Sequence, residues 1–459
     1  MRSIDKDLKA VQEARVLMEE AAQAKKTLAL FEQHQLDRIT EQMLRGIRPR
    51  LEALVRQSVQ ETGRGCEADE LRLCRMLAEG MENNLAGMKC VGVLEQDEEN
   101  GLLEIGVPMG VIAAAVPSIS PVAAVLCAAV AAVKAGNAVV FAPHPAAAGV
   151  TAQTAAVLAQ SAEEAGLPKG ALACAETAAR EGALAMFRHP HAALILNMGR
   201  CSLLEEAAAT GKPVLYGGIA PGPAFIEKTA DLEKAAADIV ASRSFNNGMG
   251  PGGEQYVVAD RQIAAEATAQ LKRQGAYFMT AEEQKQLTNL LGLHPHCAAG
   301  ADTAYIGKSA CWLAAKAGFT VPEGTRVLVS QQAYITDYNP YANGLLCPVM
   351  AFYIEEDWTH ACEKCIELLV NGSKGNTLAI HSRDPEVIRQ FALKKPVGRV
   401  LINTPAVMGA TGVTTRLFPT VILGSVSAGQ GITADNISPM NLIYRRKAAF
   451  GMRSFSSNQ

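Results

Sequence analysis

Residues Gly110–Pro145 read "GVIAAAVPSISPVAAVLCAAVAAVKAGNAVVFAPHP". The run "GVIAAAVP" is short, apolar and closed by proline, which is the signature of a buried strand. "AVLCAAVAAVKAG" is apolar on every side, so it reads as a buried helix, ended by Gly136. "NAVVFAP" is a strand again. Pro117 and Pro121 and the many small residues argue against a membrane span. Strand, buried helix and strand in direct succession make one βαβ unit, and the two strands of such a unit run parallel.

The same rhythm continues downstream. "AAGVTAQTAAVLAQSAEEAG" is a helix with Gly166 at its end. "GALACAE", "AALILNMG" and "KPVLYGG" are strands, with the helix "CSLLEEAAATG" between the last two. A second set starts near Thr229. There "DLEKAAADIVASRSF", "WTHACEKCIELLV" and "PEVIRQFAL" are helices, and "GEQYVVAD", "CPVMAFYIEE", "NTLAIHS" and "GRVLIN" are strands. Alternation of this kind predicts an α/β fold with parallel sheets covered on both faces, whose ligands sit at the carboxyl ends of the strands. Upstream, residues 1 to about 89 read as helices, with Leu8, Val11, Ala14, Leu17 and Met18 at helical spacing. "CVGVLEQDEENGLLEIGVP" is a hairpin around "DEENG", and "PMNLIYRRKAAF" is a last strand, placed at an oligomer interface. The chain shows no internal repeat and no low-complexity linker.

A chain of 459 residues exceeds the usual single core, so two or more domains are expected. Apolar residues make up 49% and charged residues 19%, the balance of a packed globular protein, and a net charge of -3 offers nucleic acid no basic surface. The eleven cysteines are scattered as in a reduced cytosol. The N-terminus "MRSIDKDLKAVQEARVLMEEAAQAKK" is charged throughout and lacks the apolar core of a secretory signal, so a cytoplasmic location is expected.

The segments "VPMGVIAAAVPSISP", "KAGNAVVFAPHP", "AGLPKGAL", "GPAFIE", "SFNNGMGPGGEQYVV" and "HSRDPEVIRQFALKKPVGRVLINTP", in this order over nearly the whole chain, resemble the bacterial CoA-acylating aldehyde dehydrogenases. Those proteins occur as the N-terminal half of bifunctional aldehyde-alcohol dehydrogenases and in metabolic microcompartments. The resemblance implies the aldehyde dehydrogenase fold: two Rossmann-like parallel-sheet domains and a small β-strand arm for assembly. It implies a cofactor-binding domain over 1–89 and 108–228, a catalytic-type domain over 229–428, and assembly strands over 90–107 and 429–459. The implied chemistry is oxidation of an aldehyde with NAD and CoA, through attack by a cysteine thiolate, hydride transfer and release of acyl-CoA.

The chain departs from the resemblance at the reacting centre. The thiol loop of the family maps onto Phe245 to Glu254, and the place of the nucleophile is held by Pro251. Proline has no nucleophilic side chain and no backbone N–H, so it removes the thiol together with one oxyanion donor. The second donor, a side-chain amide, is replaced by Ser120 in "PSISP". Loss of one such donor alone costs roughly 3 kcal/mol. On the cofactor side the family's small-residue turn becomes Met198-Gly199-Arg200, a Gly-rich loop becomes Gly218 to Pro221, a ribose-binding glutamate becomes Gly344 and a turn histidine becomes Asn376. "FAPHP", comprising Phe141, Ala142, Pro143, His144 and Pro145, is kept, and the resemblance puts its backbone near the adenosine.

Other residues compete for chemistry. Cys127 falls in a buried helix, and Cys347 in "LLCPVM" reads as a buried apolar thiol beside the cleft. Cys362 and Cys365 form a CxxC without the second pair of a zinc site, so no metal is expected. His189-Pro190-His191 and His294-Pro295-His296 read as turns. His144 caps a strand end, and Glu254 reads as a hydrogen-bonded carboxylate that positions its loop. The glycines at 250, 252 and 253 suggest a pliable loop. Two functions from different classes follow. One is a non-catalytic binding or assembly partner, in a homo-oligomer or beside an active homologue, in the cytoplasm and associated with a microcompartment, with NAD, weakened, and CoA as possible ligands. The other is an active NAD-dependent aldehyde oxidoreductase with a different nucleophile. Neither involves nucleic acid or membrane.

Overall fold

A computed structural model describes residues 5–218, 222–292, 303–335, 339–373, 375–426 and 431–452, with the backbone alone at 371–373. Its strands are β1 (Gly92–Asp97), β2 (Leu102–Pro108), β3 (Val111–Ala115), β4 (Ala138–Ala142), β5 (Leu172–Cys174), β6 (Ala192–Asn197), β7 (Val214–Tyr216), β8 (Gly222–Ile226), β9 (Glu254–Asp260), β10 (Ala276–Phe278), β11 (Val327–Gln331), β12 (Val349–Glu355), β13 (Thr377–His381), β14 (Arg399–Ile402) and β15 (Ile443–Ala449). They form two parallel sheets and one antiparallel sheet, the α/β architecture read from the sequence.

The first sheet runs β5-β4-β3-β6-β7, all parallel. The chain leaves β3 to one side for β4 and returns on the other side at β6. The carboxyl ends of β3 and β6 therefore flank the topological switch point, where such sheets take their ligands. Every residue of the helix Pro121–Lys134 between β3 and β4 is buried. It packs against the helices Gln33–Ile47, Leu51–Thr62 and Glu67–Leu85 from the N-terminal region. Its one charge, Lys134, is paired with Asp37 Oδ1 at 2.6 Å and with the Leu85 carbonyl at 2.8 Å, as a buried ammonium requires.

The second sheet runs β10-β11-β12-β9-β8-β13-β14, also parallel. Both its faces are covered by apolar clusters, and all seven residues of β9 are buried. Its strand β8 lies within the stretch 108–228 that the sequence reading places with the first sheet. The chain also returns late to the first core, through Val421, Ile422, Ile437 and Leu442. Bridges between Gly217 and Gly424 and between Leu423 and Asn436 tie the two units where it crosses.

The hairpin β1-β2 and the last strand β15 form the third sheet, with Ile443 opposite Pro108 and Ala449 opposite Leu102. It is largely exposed, and Val93, Tyr444, Phe450 and Met452 present apolar side chains to solvent. No described helix is long and apolar enough to cross a membrane.

Candidate active site

The loop after the helix Leu232–Ser244 turns sharply. Asn246 and Asn247 have φ of 51° and 50°, and Gly248 has φ of 79°. Asparagine is the residue besides glycine that most readily accepts this left-handed region. Both side-chain amides tie the loop to its surroundings. Asn246 Oδ1 accepts the Cys66 N–H at 2.8 Å, and its Nδ2 donates to Glu70 Oε1 at 2.6 Å. Its backbone N–H donates to Asp69 Oδ2 at 2.8 Å. Asn247 Nδ2 donates to the carbonyls of Gly65 at 3.2 Å and Gly307 at 3.0 Å. Gly248 must be glycine, because a Cβ there would lie 2.2 Å from the carbonyl carbon of Cys347.

Gly250 to Gly253 form a closed β-turn, with the Gly253 N–H donating to the Gly250 carbonyl at 3.3 Å. Pro251 and Gly252 are its central residues, and Gly252 has φ of 69°. Pro-Gly in this order is the type II pattern. The N–H that proline lacks is the one that such a turn leaves unused, so Pro251 suits its position. The whole segment is buried. The pliable loop expected from its glycines is corrected: a Cβ on Gly250 would lie 2.5 Å from Val407, and one on Gly252 3.0 Å from Ala410. These glycines admit the helix Ala406–Ala410 at close range. Glu254 Oε1 accepts the Ala406 N–H at 2.9 Å, the positioning role read from the sequence. Its Oε2 has no partner, and burial raises its carboxyl to about 7.

Ser120, φ 44°, precedes the helix Pro121–Lys134 without capping it. Its hydroxyl donates to Glu70 Oε1 at 2.7 Å and lies 3.5 Å from Asn246 Nδ2. The structure thus brings Ser120 and the Pro251 loop to one place, and the serine proton is committed to a buried carboxylate. Burial raises the Glu70 carboxyl despite the hydrogen bonds from Ser120 and Asn246. Arg64 donates to Ser118 Oγ, two residues before Ser120, at 2.7 Å and to Thr303 Oγ1 at 3.4 Å. Glu70 and Arg64 come from the N-terminal helical region and belong to no motif, so sequence reasoning missed them. The one available signal was a charge embedded among apolar helix positions.

At the carboxyl ends of the first sheet, Phe141, Ala142 and Pro143 are buried and Pro145 is exposed. His144 Nδ1 accepts the Ala146 N–H at 3.0 Å, so it caps the short helix Pro145–Ala147 and not the strand end expected of it. Burial, with Arg200 and Arg64 nearby, lowers its pKa to about 4, so it is neutral at pH 7. Arg200 starts from the end of β6, where its N–H donates to Asn197 Oδ1 at 2.7 Å. It reaches the Pro143 carbonyl at the end of β4, at 3.4 Å, and so spans the end of β3 between them. Its side chain is 9% exposed, and its Nε has no hydrogen-bond partner. Burial lowers its pKa to about 10. Gly199 and Gly218 face each other, a Cβ on Gly199 falling 3.2 Å from the Gly218 Cα. Asn376 Nδ2 donates to the carbonyls of Gly218 at 3.1 Å and Leu423 at 3.0 Å, clasping the two units together. Residues 219–221 of the same loop lie outside the described residues.

Gly344 is half-buried and offers no side chain. The backbone after it wraps the buried guanidinium of Arg243, which donates to the carbonyls of Leu345 at 2.8 Å, Cys347 at 2.6 Å and Val349 at 3.0 Å. Cys347 is fully buried, and burial pushes its thiol to about 12, which leaves negligible thiolate at neutral pH. Cys127 is likewise buried, with its thiol pushed to about 11. His189 and His191 converge on Glu19, at 3.5 and 3.3 Å. Among the described residues no group of three or more His, Cys, Asp or Glu side chains is placed to hold a metal. His294, Pro295 and His296 lie outside the described residues. Cys201 is disulfide-bonded, a departure from the expectation of reduced thiols throughout.

The family model described as "Aldehyde dehydrogenase family" matches residues 6–288. The chain is 32% identical over 400 residues to the aldehyde-alcohol dehydrogenase of Streptococcus pneumoniae serotype 4, covering 86% of this chain and 45% of that protein. It spans about half the length of the first curated relatives it matches. Among solved structures, a probable aldehyde dehydrogenase from Listeria monocytogenes EGD-e superposes with a TM-score of 0.94 at 37% identity, over 98% of this chain and 99% of that one. An acetylating aldehyde dehydrogenase from Geobacillus thermoglucosidasius does so with a TM-score of 0.94 at 33% identity, over 100% of both.

Proposed function

This chain belongs to the aldehyde dehydrogenase family, and on that premise we propose that it is a member that has given up thioester chemistry and serves as a binding or assembly partner. One observation carries the reading. The loop that resembles the family's thiol loop closes into a buried Pro-Gly turn at Pro251, packed on Val407 and Ala410, with no thiol in it. Two further facts support it. The hydroxyl of Ser120, at the position of the second oxyanion donor, is spent on Glu70. The thiol of Cys347, whose backbone packs against Gly248 of the same loop, is buried and held protonated.

The cofactor cleft fits a phosphate-bearing ligand in part. The unpartnered Nε of Arg200 offers a donor to a phosphate, while its side chain fills space that a small residue leaves open. NAD, which would bring hydride-accepting chemistry, is held weakly on this reading, by the backbone of Pro143 and His144, with the Arg200 side chain occupying part of its space. CoA is retained as a second ligand. The partner is another copy of the chain or an active homologue, met through the sheet of β1, β2 and β15, in the cytoplasm and in association with a microcompartment.

The test is turnover. Purified protein is mixed with short aldehydes, CoA and NAD, and NADH is followed by absorbance. Formation no greater than one equivalent per chain is expected. Sustained formation, with a labelled cysteine found by mass spectrometry, replaces the proposal with an active oxidoreductase using another nucleophile.

A further inference from the structure

Away from that site, the helix Trp358–Glu367 carries Cys362, which is 6% exposed, and Cys365, fully buried one turn later. Lys395 follows the helix Pro385–Lys394 and is 9% exposed. Its Nζ lies 3.9 Å from the ring centroid of Phe391 and 2.5 Å from Cys362 Sγ. Among the described residues, the contacts of its Nζ are this ring and this sulfur, with no carboxylate.

The second distance is the informative one. Hydrogen bonds from nitrogen to oxygen span roughly 2.7–3.2 Å, and sulfur is the larger acceptor, so a thiol–ammonium contact is longer still. A separation of 2.5 Å is too short for that contact and too long for a direct nitrogen–sulfur bond. It matches one interposed atom. Burying an amine on a long side chain costs desolvation and rotamer entropy, which a ring face and a thiol offset poorly. A covalent link is the stronger compensation.

We propose that Lys395 and Cys362 are a modification site, joined through a single oxygen atom when the protein meets dioxygen. After the ammonium gives its extra proton to solvent, one S–H bond, one N–H bond and the O–O bond break. An S–O and an O–N bond form, and the second oxygen leaves as water with the two hydrogens. Sulfur and nitrogen each lose two electrons, and dioxygen takes all four. Dioxygen is small and apolar, so it reaches a buried pair from which hydrophilic oxidants and glutathione are excluded. The bridge ties the helix that precedes β13 to the segment entering β14, at one edge of the larger sheet, and thiol reductants reopen it once the chain is unfolded.

The full chain is prepared without air and with reductant, and in parallel exposed to air. Both samples are denatured, alkylated, digested without reductant and measured by mass spectrometry. In the air-exposed sample a cross-linked pair of peptides carrying Cys362 and Lys395 is expected, heavier than their sum by one oxygen and lighter by two hydrogens. Dithiothreitol removes it, and Lys395→Met leaves Cys362 open to alkylation. The air-exposed protein melts a few degrees above the reduced one, a difference that Lys395→Met abolishes. Complete alkylation of Cys362 in the air-exposed wild type overturns the proposal. So does a Cys362–Cys365 disulfide, or oxidation of Cys362 that is unchanged in Lys395→Met.

Discussion

Glu254 holds a half-satisfied carboxyl at the foot of β9, and its burial has a thermodynamic consequence. Its pKa rises from 4.5 to about 7 in the folded state, through burial. Between those values the folded protein keeps a proton that the unfolded chain releases, so stability falls as pH rises. The contribution is fully present below about pH 4.5 and lost above about pH 7, an effect of about 3 kcal/mol. In Glu254→Gln this decline disappears, and the variant is more stable than the wild type at pH 8 by about that amount, as measured by urea unfolding at pH 5 and pH 8. Arg200 gives a second expectation at the same scale. NAD raises the melting temperature of the wild type slightly, and Arg200→Gly enlarges the shift at equal NAD concentration. An unchanged or smaller shift in the variant makes the guanidinium a phosphate anchor, not an obstacle. That position 251 holds a proline was legible in the sequence. The commitment of Ser120 to Glu70 was not, since the two lie fifty positions apart and share no motif.

At the scale of elements, the turn Gly250–Gly253 and the residues Asn246 to Gly248 are held by what packs on them. Gly248 combines a φ of 79° with backbone contact to Cys347. Gly248→Ala forces a left-handed alanine and a displaced β12 entry, so a loss of more than about 3 kcal/mol is expected, read from urea or thermal midpoints. Gly63, also left-handed but with open space around it, serves as the control, where alanine costs about 1 kcal/mol. Long elements of regular pattern, such as Pro121–Lys134 and β9, were readable from apolar runs. Strands β10 and β11 were not, because three to five residues give no periodicity to detect. Strand β8 was seen as a motif, but its sheet was not, because membership depends on partners distant in sequence.

For the whole molecule, the exposed three-stranded sheet is the feature that invites association. Val93 on β1 and Tyr444 on β15 stay open to solvent, on the two outer strands that flank β2. Removal of residues 443–459 deletes β15 and exposes the edge of β2 that it covers. The full chain is expected to elute as an oligomer, and the truncated chain as a monomer or an aggregate, by size exclusion with light scattering. A monomeric full chain at micromolar concentration removes the assembly role from the proposal.

The order of strands, helices and turns, the two parallel sheets and the absence of a thiol at position 251 were fixed by local chemistry along the chain: apolar period, glycine and proline placement, and residue identity. Which charges meet in the interior was decided only by tertiary structure. Glu70 under Ser120, Arg200 across the end of β3, Arg243 inside a ring of carbonyls and Lys395 against Cys362 each join segments far apart in sequence. Burial sets the energy of such pairs, and burial belongs to the folded packing, not to any stretch of sequence read alone.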